Sequence, residues 1–429
     1  MERLETIVVG GGQAGLATSY YLTQHAHEHI VLERAPQAAT TWRNERWDSF
    51  TLVTPNWGVK MPGAEYDGPH PDAYMPRDEV VAYFERYVDR FRLPVQYETR
   101  VLSVESLDGF GYRVRTDEET LRASNVVIAT GFEQYVKIPS FASGLPAGIT
   151  QLPSNRYRNP ESLPSGAVLV VGCAQSGAQI AEDLYRRGRQ VFLATGSSSG
   201  RAPRRYRGRD MFAWLYDIGF FDLTPNQMPF PREHFAAPHL SGAGGGHTLN
   251  LHRFARDGVT LLGHLRGTAD GKIRLAPDLH ENLTRIDGFE QQARKMVDGY
   301  IRARGLDVPP EEIPQLRDGY SQPIVEELDL TSAGIGTIIW ATGYGYDYGL
   351  VKLPVLDADG FPIQTRGVTG FTGLYFVGMP WMPALRSGIL AGVGDAAKHI
   401  ASHIVETSSH RGRIAGTPVA VGSAAARVA

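Results

Sequence analysis

A glycine-rich loop close to the N-terminus has the residue types and spacing that bind a dinucleotide phosphate. The apolar segment Thr6–Gly10 is followed at once by a G-x-G-x-x-G pattern and then by a segment with helical periodicity. Glycines here allow a tight turn, close approach of a pyrophosphate and close packing of helix on strand. The helix N-terminus supplies free N–H groups and a favourable dipole for the phosphates. We assign to this loop Gly10, Gly12, Gln13, Ala14 and Gly15.

A carboxylate stands where such a loop needs a ligand for the adenosine ribose. Glu33 ends the second apolar segment, His29–Glu33, and its oxygens are expected to accept both ribose hydroxyls. A loop of this kind at the N-terminus serves either FAD or NAD. The segment from residue 6 to residue 33 therefore predicts a strand–helix–strand unit with a dinucleotide at its carboxyl end.

An aromatic block after this unit favours a flavin. Trp42, Trp47 and Trp57 are three of the six tryptophans of the chain, and Thr41 precedes the first of them. An isoalloxazine needs flat walls and a few polar contacts, whereas a simple dehydrogenase would not need such a block. The alternative, that these aromatic side chains are packed core, stays open.

A second glycine loop opens a second unit of the same kind. Gly172 and Gly177 hold the outer positions of the pattern, and Ala174 replaces the middle glycine. Gln175 and Ser176 offer additional donors at the start of the following helix. The extra methyl of Ala174 lies where a pyrophosphate would come closest. Either it displaces the phosphates slightly, or the loop accommodates it without displacing them.

The strand after the second loop ends without a carboxylate. It ends at Thr195, and the chain then carries a run of arginines that includes Arg204 and Arg205. A guanidinium offers a two-pronged donor to a 2′-phosphate, so this run favours NADPH over NADH. An exposed basic loop is the alternative, and Arg201, Arg207 and Ser197 are the other candidates for the phosphate contact.

The elements that position both loops indicate an α/β fold. Each strand–helix–strand unit is followed later by an apolar strand that ends in Ala-Thr-Gly, at 129–131 and at 341–343. Interleaved parallel units of this kind predict two Rossmann-like dinucleotide-binding domains, with the NADPH domain inserted into the FAD domain.

The domain boundaries follow from this repeat. We expect the FAD-binding domain at 1–160 and 336–405, and the NADPH-binding domain at 161–335 with an irregular insertion at 196–290. Helices are predicted at Asp210–Asp217, Gly288–Arg304 and Gly392–Ile404. Residues 406–429 are rich in Ala, Gly, Ser, Arg and Thr, so a disordered tail is expected there.

Composition excludes several other classes of protein. Lys+Arg 43 against Asp+Glu 46 leaves a net charge of −3, which offers no field for nucleic acid or an acidic membrane. Apolar runs fall short of the roughly 20 residues of a membrane span. The single cysteine, Cys173, rules out an intramolecular disulfide and a CxxC redox pair. No spacing typical of metal ligands occurs, so no metal is expected. Without a leader-like N-terminus, a cytoplasmic protein is expected.

Taken together, these motifs resemble the class B flavin-dependent monooxygenases, the flavin-containing monooxygenase superfamily. The resemblance extends to about residue 404 and includes Tyr74–Tyr83, both Ala-Thr-Gly motifs and Gly373–Gly378. Trp47–Trp57 and Arg204–Asp210 look most like a bacterial branch of this superfamily. By that resemblance, further cofactor-binding residues are expected at Arg34, Val101, Ala129, Thr130, Gly131, Ala341, Thr342, Gly343, Gly378, Ser387 and Gly388.

The resemblance also implies a reaction. NADPH would reduce FAD, and the reduced flavin would react with O₂ to form a C4a-(hydro)peroxyflavin that oxygenates a small organic substrate, at nitrogen or sulfur in the first place. Thr54 and Asn56 are expected to support catalysis at the flavin's reactive face, although both could simply cap the turn around Pro55. The N–H groups of Ser387 and Gly388 are expected to face the flavin pyrimidine carbonyl, where negative charge grows on reduction.

One position departs from the superfamily pattern. Pro153 stands where a fingerprint histidine usually precedes Tyr157–Pro160, which puts efficient coupling of NADPH binding to oxygenation in doubt. An NADPH oxidase or reductase that releases H₂O₂, or a flavin-binding protein without activity, are therefore the alternatives. The expected partners are O₂ and a small molecule, with neither nucleic acid nor membrane, and a homodimer is left open. Asp210–Gly246 and Pro309–Gln322 are expected to shape the substrate pocket.

Overall fold

The fold is that of a computed structural model of the chain. The structure describes residues 3–196, 200–227 and 239–415. Ser197, the last residues of the expected tail (416–429) and part of the expected pocket segment (228–238) lie outside the described residues.

Two large sheets, a three-stranded antiparallel sheet and several two-stranded ladders make up the β-structure of the described residues. In chain order, the strands used below are β1 Arg3–Val9, β2 His29–Leu32, β3 Val95–Gln96, β4 Val101–Ser106, β5 Tyr112–Thr116, β6 Thr120–Ile128, β7 Thr150–Pro153, β8 Ala167–Val171, β9 Val191–Ala194, β10 Thr260–Leu262, β11 Leu265–Ala269, β12 Lys272–Leu275, β13 Glu327–Asp329, β14 Ile335–Trp340, β15 Gln364–Thr365, β16 Val368–Thr369 and β17 Leu374–Phe376.

Helices cover one face of each of the two large sheets. They are α1 Gln13–Gln24, α2 Thr40–Asn44, α3 Arg77–Phe91, α4 Gln175–Arg186, α5 Met211–Ile218, α6 Leu251–Arg256, α7 Leu279–Arg304 and α8 Val393–Ala415.

The first sheet is built around the N-terminal strand. Its order is β15-β16-β17-β6-β1-β2-β3, with β4 and β5 attached at the first half of β6. The five strands β17, β6, β1, β2 and β3 run parallel. Ile7–Val9 are buried because both faces are covered. Helices α1, α3 and α8 pack on the side of Val8, whereas β4, β5 and the segment 348–361 pack on the side of Ile7 and Val9. α1 and α8 pack together on this sheet.

The second sheet is fully parallel, with the order β7-β14-β8-β9-β10. Two strand–helix–strand units in two parallel sheets confirm the predicted α/β fold. β8 is buried along its whole length, which explains its uninterrupted run of Ala, Val and Leu. An antiparallel sheet of β11, β12 and β13 packs beside it through a shared apolar core.

The expected domain boundaries need correction. β7 lies before residue 160 and most of β14 lies after residue 335, yet both strands pair within the second sheet. The chain leaves and re-enters the first domain at a two-residue ladder between Tyr135–Val136 and Tyr344–Gly345. The inserted domain is therefore about one strand longer at each end than expected, because both flanking strands complete its sheet.

Two segments are more regular than expected. Within 196–290, β10 completes the second sheet, α6 precedes it and α7 begins at Leu279, nine residues before the expected start. Leu279, Leu283 and Ile286 are buried at helical spacing, and Gly288 is accommodated inside α7. At the C-terminus α8 continues to Ala415, so 406–415 are not a disordered tail. Thr407 and Ser409 donate hydroxyl hydrogen bonds to carbonyls one turn earlier, which lets these polar residues remain helical.

Each glycine loop touches the Ala-Thr-Gly segment of its own sheet. A Cβ on Gly10 would lie 2.7 Å from the carbonyl oxygen of Ala129, and a Cβ on Gly172 would overlap that of Ala341. Gly10 and Gly172 also have φ values of +108° and +98°, which favour glycine. The repeated motif is therefore the surface on which each loop is seated.

We predict that Gly177→Ala destabilises the fold strongly. Its new methyl would overlap the carbonyl oxygen of Gly172, which is backbone and cannot move aside without shifting the strand. The free energy of unfolding, measured by urea denaturation, should fall by about 3 kcal/mol or more. Gly288→Ala is the matched control: it adds a methyl in open space within a helix and should stabilise the protein by about 0.5–1 kcal/mol. Equal stability of the two variants would contradict this packing.

Candidate active site

A cleft of about 940 Å³ crosses the carboxyl ends of β1, β2 and β6 and reaches the first turns of α4. Carboxyl ends of parallel strands are where α/β sheets bind their ligands. Its volume lies at the upper end of the range for cofactor and ligand pockets.

The cleft brings together residues from both predicted loops. The predicted site residues that line it are Gly10, Gly12, Gln13, Ala14, Glu33, Arg34, Thr41, Trp42, Trp47, Thr54, Val101, Ala129, Thr130, Gly131, Gln175, Ser176, Gly378 and Gly388. Residues from positions 10 to 388 of the chain therefore share one cleft.

The first loop presents open space and free donors to the cleft. Gly12 is the N-cap of α1, and a Cβ placed on it would meet no atom within 4 Å. The first N–H groups of a helix have no acceptor within the helix, so those after Gly12 are available to an anion. Gly15 stays outside the cleft, because its role is to let α1 sit against the carbonyl of Gly10.

The Glu33 carboxylate is held in place by the backbone. Its Oε2 accepts a hydrogen bond from the Gly11 N–H at 2.6 Å, and its Oε1 accepts one from the Ala35 N–H at 2.9 Å. Each carboxylate oxygen can accept a second hydrogen bond. Glu33 therefore both stiffens the loop and presents acceptor capacity to the cleft that it lines.

The aromatic block divides into two groups. Trp42 lies on α2 and stacks on Phe84, with 6.5 Å between the ring centroids, and Trp47 packs edge-on against Phe50. Trp57 points away from the cleft and makes edge contacts with Phe212 and Tyr216. The prediction that the tryptophans form flat walls for an isoalloxazine is therefore compatible with the positions of Trp42 and Trp47. Trp57 belongs instead to the packed core around α5.

Of the two predicted catalytic residues, Thr54 lines the cleft and Asn56 does not. Asn56 is buried, and its side-chain amide donates to the carbonyl of His70 at 3.0 Å. The structure therefore places Asn56 outside the cleft, where its side chain joins the turn after Pro55 to the segment at His70.

Of the two predicted residues near the C-terminus, Ser387 and Gly388, only Gly388 lines the cleft. Ser387 is buried; its N–H donates to the Ala384 carbonyl at 3.1 Å, and its hydroxyl accepts from the Ala384 N–H at 3.2 Å. Since its N–H is already used, Ser387 does not donate to a flavin carbonyl. Gly388 lines the cleft, and its carbonyl accepts a hydrogen bond from the Gln13 side chain at 2.7 Å. This bond ties the C-terminal segment to the first loop.

The second loop contributes its helix start rather than its glycines. Gln175 and Ser176 line the cleft, whereas Gly172, Ala174 and Gly177 form the turn behind them. The Gln175 side chain is fixed by hydrogen bonds to the backbone N–H and carbonyl of Leu240. Ala341, Thr342 and Gly343, which were also predicted, lie outside the cleft and support the second loop from behind. The Thr342 hydroxyl donates to the carbonyl of Lys137.

The prediction that Arg204 meets a 2′-phosphate is wrong. Arg204 is 2% exposed, and its guanidinium pairs with Asp210 at 2.8 Å. The same guanidinium lies over the Tyr74 ring, 4.2 Å from the centroid, and donates to the Val53 carbonyl at 2.8 Å. Its donors are therefore directed into the protein. Thr195 is likewise buried, and its hydroxyl donates to the Leu262 carbonyl.

The remaining candidates of that arginine run are mostly paired as well. Arg201 is buried between Asp287 and Glu290, and Arg207 pairs with Asp298 at 3.1 Å. Arg205 is exposed on a short hairpin and does not line the cleft.

The cluster of Arg204, Asp210 and Tyr74 positions the cleft wall from behind. The Tyr74 hydroxyl donates to Asp210 at 2.5 Å, and burial together with this carboxylate raises the pKa of Tyr74 to about 12. Tyr74 therefore stays protonated at neutral pH. Through the Val53 carbonyl, the cluster fixes the residue next to Thr54, and through Asp210 it caps α5.

Several lining residues were not predicted. Gln179 follows Gln175 by one helical turn on α4 and reaches the same cleft. That i, i+4 spacing was a usable signal. Arg46 also lines the cleft and directly precedes Trp47 of the aromatic block. Lys352 lines it as well, from a segment without a motif.

No group of three His, Cys, Asp or Glu side chains that could hold a metal ion occurs within the described ranges. Among the described helices, none has the length and apolar character needed to cross a bilayer.

Known proteins similar to this chain are oxidoreductases. A family model described as pyridine nucleotide-disulphide oxidoreductase matches residues 7–207. An uncharacterized CzcO-like oxidoreductase of Geobacillus kaustophilus is 31% identical over 94% of this chain and 98% of its own. The indole-3-pyruvate monooxygenase YUCCA1 of Oryza sativa is 29% identical over 49% of this chain and 53% of its own. A double mutant of the flavin monooxygenase of Stenotrophomonas maltophilia shares the fold, with a TM-score of 0.64, 18% identity and coverage of 95% and 100%.

We predict that Arg204→Met lowers stability far more than Arg205→Met. Removing the Arg204 guanidinium leaves the buried Asp210 carboxylate without its cation, which should cost about 3–5 kcal/mol in the free energy of unfolding. Arg205 is exposed, so its replacement should change that free energy by about 0.5 kcal/mol at most. Chemical denaturation of both variants measures the difference. A near-neutral Arg204→Met would overturn the buried cluster.

Proposed function

The chain belongs to the CzcO-like oxidoreductases and is of the class B flavin monooxygenase type, and from this premise we propose that it is an FAD- and NADPH-dependent monooxygenase acting on a small organic molecule. One observation carries the proposal. A single cleft joins the N-terminus of α1 to the first turns of α4, so two dinucleotides seated on the two loops would meet inside it.

The residues of the first loop fit FAD. The open space at Gly12 and the free N–H groups of α1 suit a pyrophosphate, and the fixed Glu33 carboxylate suits the ribose hydroxyls. Trp42 and Trp47 would supply apolar walls for the flavin ring.

The second loop fits the nicotinamide dinucleotide. Gln175 and Ser176 stand at the N-terminus of α4 on the cleft side, and Gln175 is held in place by the Leu240 backbone. We propose NADPH rather than NADH because no carboxylate follows β9, where a ribose 2′-hydroxyl would be bound. With Arg204 buried, Arg205 is the remaining candidate of the pair for the 2′-phosphate.

When bound, FAD would accept a hydride from NADPH and then activate O₂. The protein's own part is to position and to shield. Gln13 and Gly388 tie the C-terminal segment over the first loop, and Thr54 offers a hydroxyl to the cleft from a wall that Arg204 holds rigid. We infer that the oxygen atom is transferred to an amine nitrogen or a sulfur. We further propose that the protein acts in the cytoplasm and forms a homodimer.

Oxygen uptake with NADPH tests this function. The purified protein should consume O₂ with NADPH and release little H₂O₂ in the presence of an accepted amine or sulfide, with ketones as the third class of the panel. Oxygenated product in step with NADPH consumed supports the monooxygenase. A protein that binds FAD but is never reduced by NADPH would contradict it.

An NADPH oxidase is the second candidate, and Pro153 is the observation that favours it. Pro153 ends β7 beside Trp340 of β14, in the place where the superfamily usually has a histidine. If that histidine normally couples NADPH binding to oxygen transfer, its loss favours release of H₂O₂. One H₂O₂ per NADPH with every substrate of the panel would establish the oxidase.

We predict that Gly12→Val weakens FAD binding strongly without unfolding the protein. Valine fits because no atom lies within 4 Å of the new Cβ and the backbone φ of −80° suits any residue. The side chain would then occupy the space needed by the pyrophosphate, so FAD affinity should fall about tenfold or more. Gly148→Val, also in open space but outside the cleft, is the control. Flavin absorbance per mole of protein gives the occupancy, and full occupancy in Gly12→Val would refute this placement.

A further inference from the structure

A second cavity lies behind the aromatic wall of the cleft. It encloses about 200 Å³ between α4 and the segment from Trp47 to Thr51. Trp47 and Gln179 line this cavity and also the main cleft, so these two side chains form the partition between them. Water takes about 30 Å³ per molecule in the liquid, so the cavity has room for several.

Gln179 is the polar part of that partition. Its residue is 7% exposed. A side-chain amide has two N–H donors and a carbonyl acceptor, so water or a ligand in either space can bond to it. Because Gln179 borders both spaces, a molecule bonded to it would sit at the passage from one to the other.

A carboxylate and an imidazole stand at the outer end of the second cavity. The Nε2 of His247 lies 2.7 Å and 2.8 Å from the two oxygens of Glu182, and its Nδ1 lies 3.1 Å from the Ala243 carbonyl oxygen. A carbonyl oxygen can only accept, so Nδ1 carries a proton. A hydrogen bond between Nε2 and Glu182 needs a proton on one of these atoms. Arg186 Nη2 also lies 3.4 Å from Nε2. His247 is part-exposed and Glu182 is buried, so the pair lies at the boundary between solvent and the interior.

The other charges around Glu182 are balanced. Arg186, on its own helix, pairs with Glu182 at 2.8 Å, and burial followed by the charge of Glu182 raises the pKa of the neighbouring Tyr185. The cavity therefore gains no strong net field from Glu182.

Asp183, the second carboxylate of the cavity, is also fully engaged. It accepts hydrogen bonds from Ser49 and Tyr157, both at 2.6 Å, and Arg187 lies at 3.6 Å. Burial and this carboxylate raise the pKa of Tyr157, which therefore stays a donor. A polar cavity whose carboxylates are paired suits water better than a charged ligand.

We propose that this cavity holds a water chain that brings protons from solvent, through the His247–Glu182 pair, to the cofactor cleft at Gln179. The inference rests on the proposed function, which consumes a proton: NADPH + H⁺ + O₂ + substrate gives NADP⁺ + oxygenated substrate + H₂O. The oxidase reaction, NADPH + H⁺ + O₂ to NADP⁺ + H₂O₂, consumes one as well. His247 and Glu182 hold the transferable proton, and Gln179 is a positioning residue that orients the inner water without being ionised.

Oxidation of NADPH by O₂ in the FAD-loaded protein tests the route. Glu182→Gln keeps the shape but removes the proton acceptor, so turnover should fall about threefold or more at about pH 9 and remain unchanged at about pH 6.5, where solvent protons are plentiful. The solvent isotope effect on turnover should rise in the same variant. Glu161→Gln removes an exposed partner of Arg187 outside the cavity and is the matched control.

A second variant keeps the test decisive if Glu182→Gln does not fold. His247→Ala should show the same loss at high pH, and added imidazole should restore turnover in proportion to its concentration, which a structural role for His247 would not produce. If the parent turns over and both variants keep its pH profile and isotope effect, the proton route is wrong. Failure of the proposed function would show instead in the parent, as FAD that NADPH does not reduce.

A crystal structure of the cofactor-free protein provides a readout independent of activity. Ordered waters should run from the Glu182 carboxylate to the Gln179 amide, and Gln179→Leu should break the chain at its inner end. A dry cavity, or waters that do not reach Gln179, would overturn the proposal.

Discussion

The structure depends on one repeated steric constraint, the contact between a helix and the turn that leads into it. At Gly15 and at Gly177 a single methyl would overlap the carbonyl oxygen of the first glycine of the same loop. This contact brings the first N–H groups of α1 and α4 to the carboxyl edge of their sheets. A dinucleotide site at either loop is therefore a consequence of how closely helix and strand pack. Gly15 and Gly177, which permit this packing, do not themselves line the cleft.

Two such loops make a common site only if the two domains are held at a fixed distance. The hydrogen bond from the Ser49 hydroxyl to Asp183 of α4 supplies part of that connection. Ser49 comes from the segment that also carries Trp47, so the contact between domains and the aromatic wall of the cleft share one stretch of chain. The shape of the cleft is thus coupled to the seating of the second domain. A change at this junction would alter the space between the two cofactor loops before it altered either loop.

The local parts of the site could be predicted from the sequence, and the parts that depend on distant partners could not. Both glycine loops, Glu33, Trp42 and the Ala-Thr-Gly segments follow from short spacings, because a turn and its helix are specified within a dozen residues. Arg204 could not be assigned this way. Its partners Asp210 and Tyr74 belong to different elements, and one of them lies far earlier in the chain. The position of Asn56 outside the cleft could not be predicted for a similar reason, since the acceptor of its side-chain amide, the His70 carbonyl, is set by the path of the following loop. β7 and β14 were assigned to the wrong domain because the sequence of a strand does not show which sheet the strand pairs in.

The arginine run shows why charge alone was misleading. Arg201 pairs with Asp287 and Glu290, Arg207 with Asp298, and Arg209 with Asp217. Those carboxylates lie on α5 and α7, so the run fastens the chain after the second loop to two helices. A buried guanidinium needs such partners, because an unpaired charge in the interior costs several kcal/mol. In a sequence with nearly equal numbers of acidic and basic residues, a local excess of arginine is therefore as consistent with distant carboxylates as with an anionic ligand. The distinction between the two lies in burial, which only the folded chain defines.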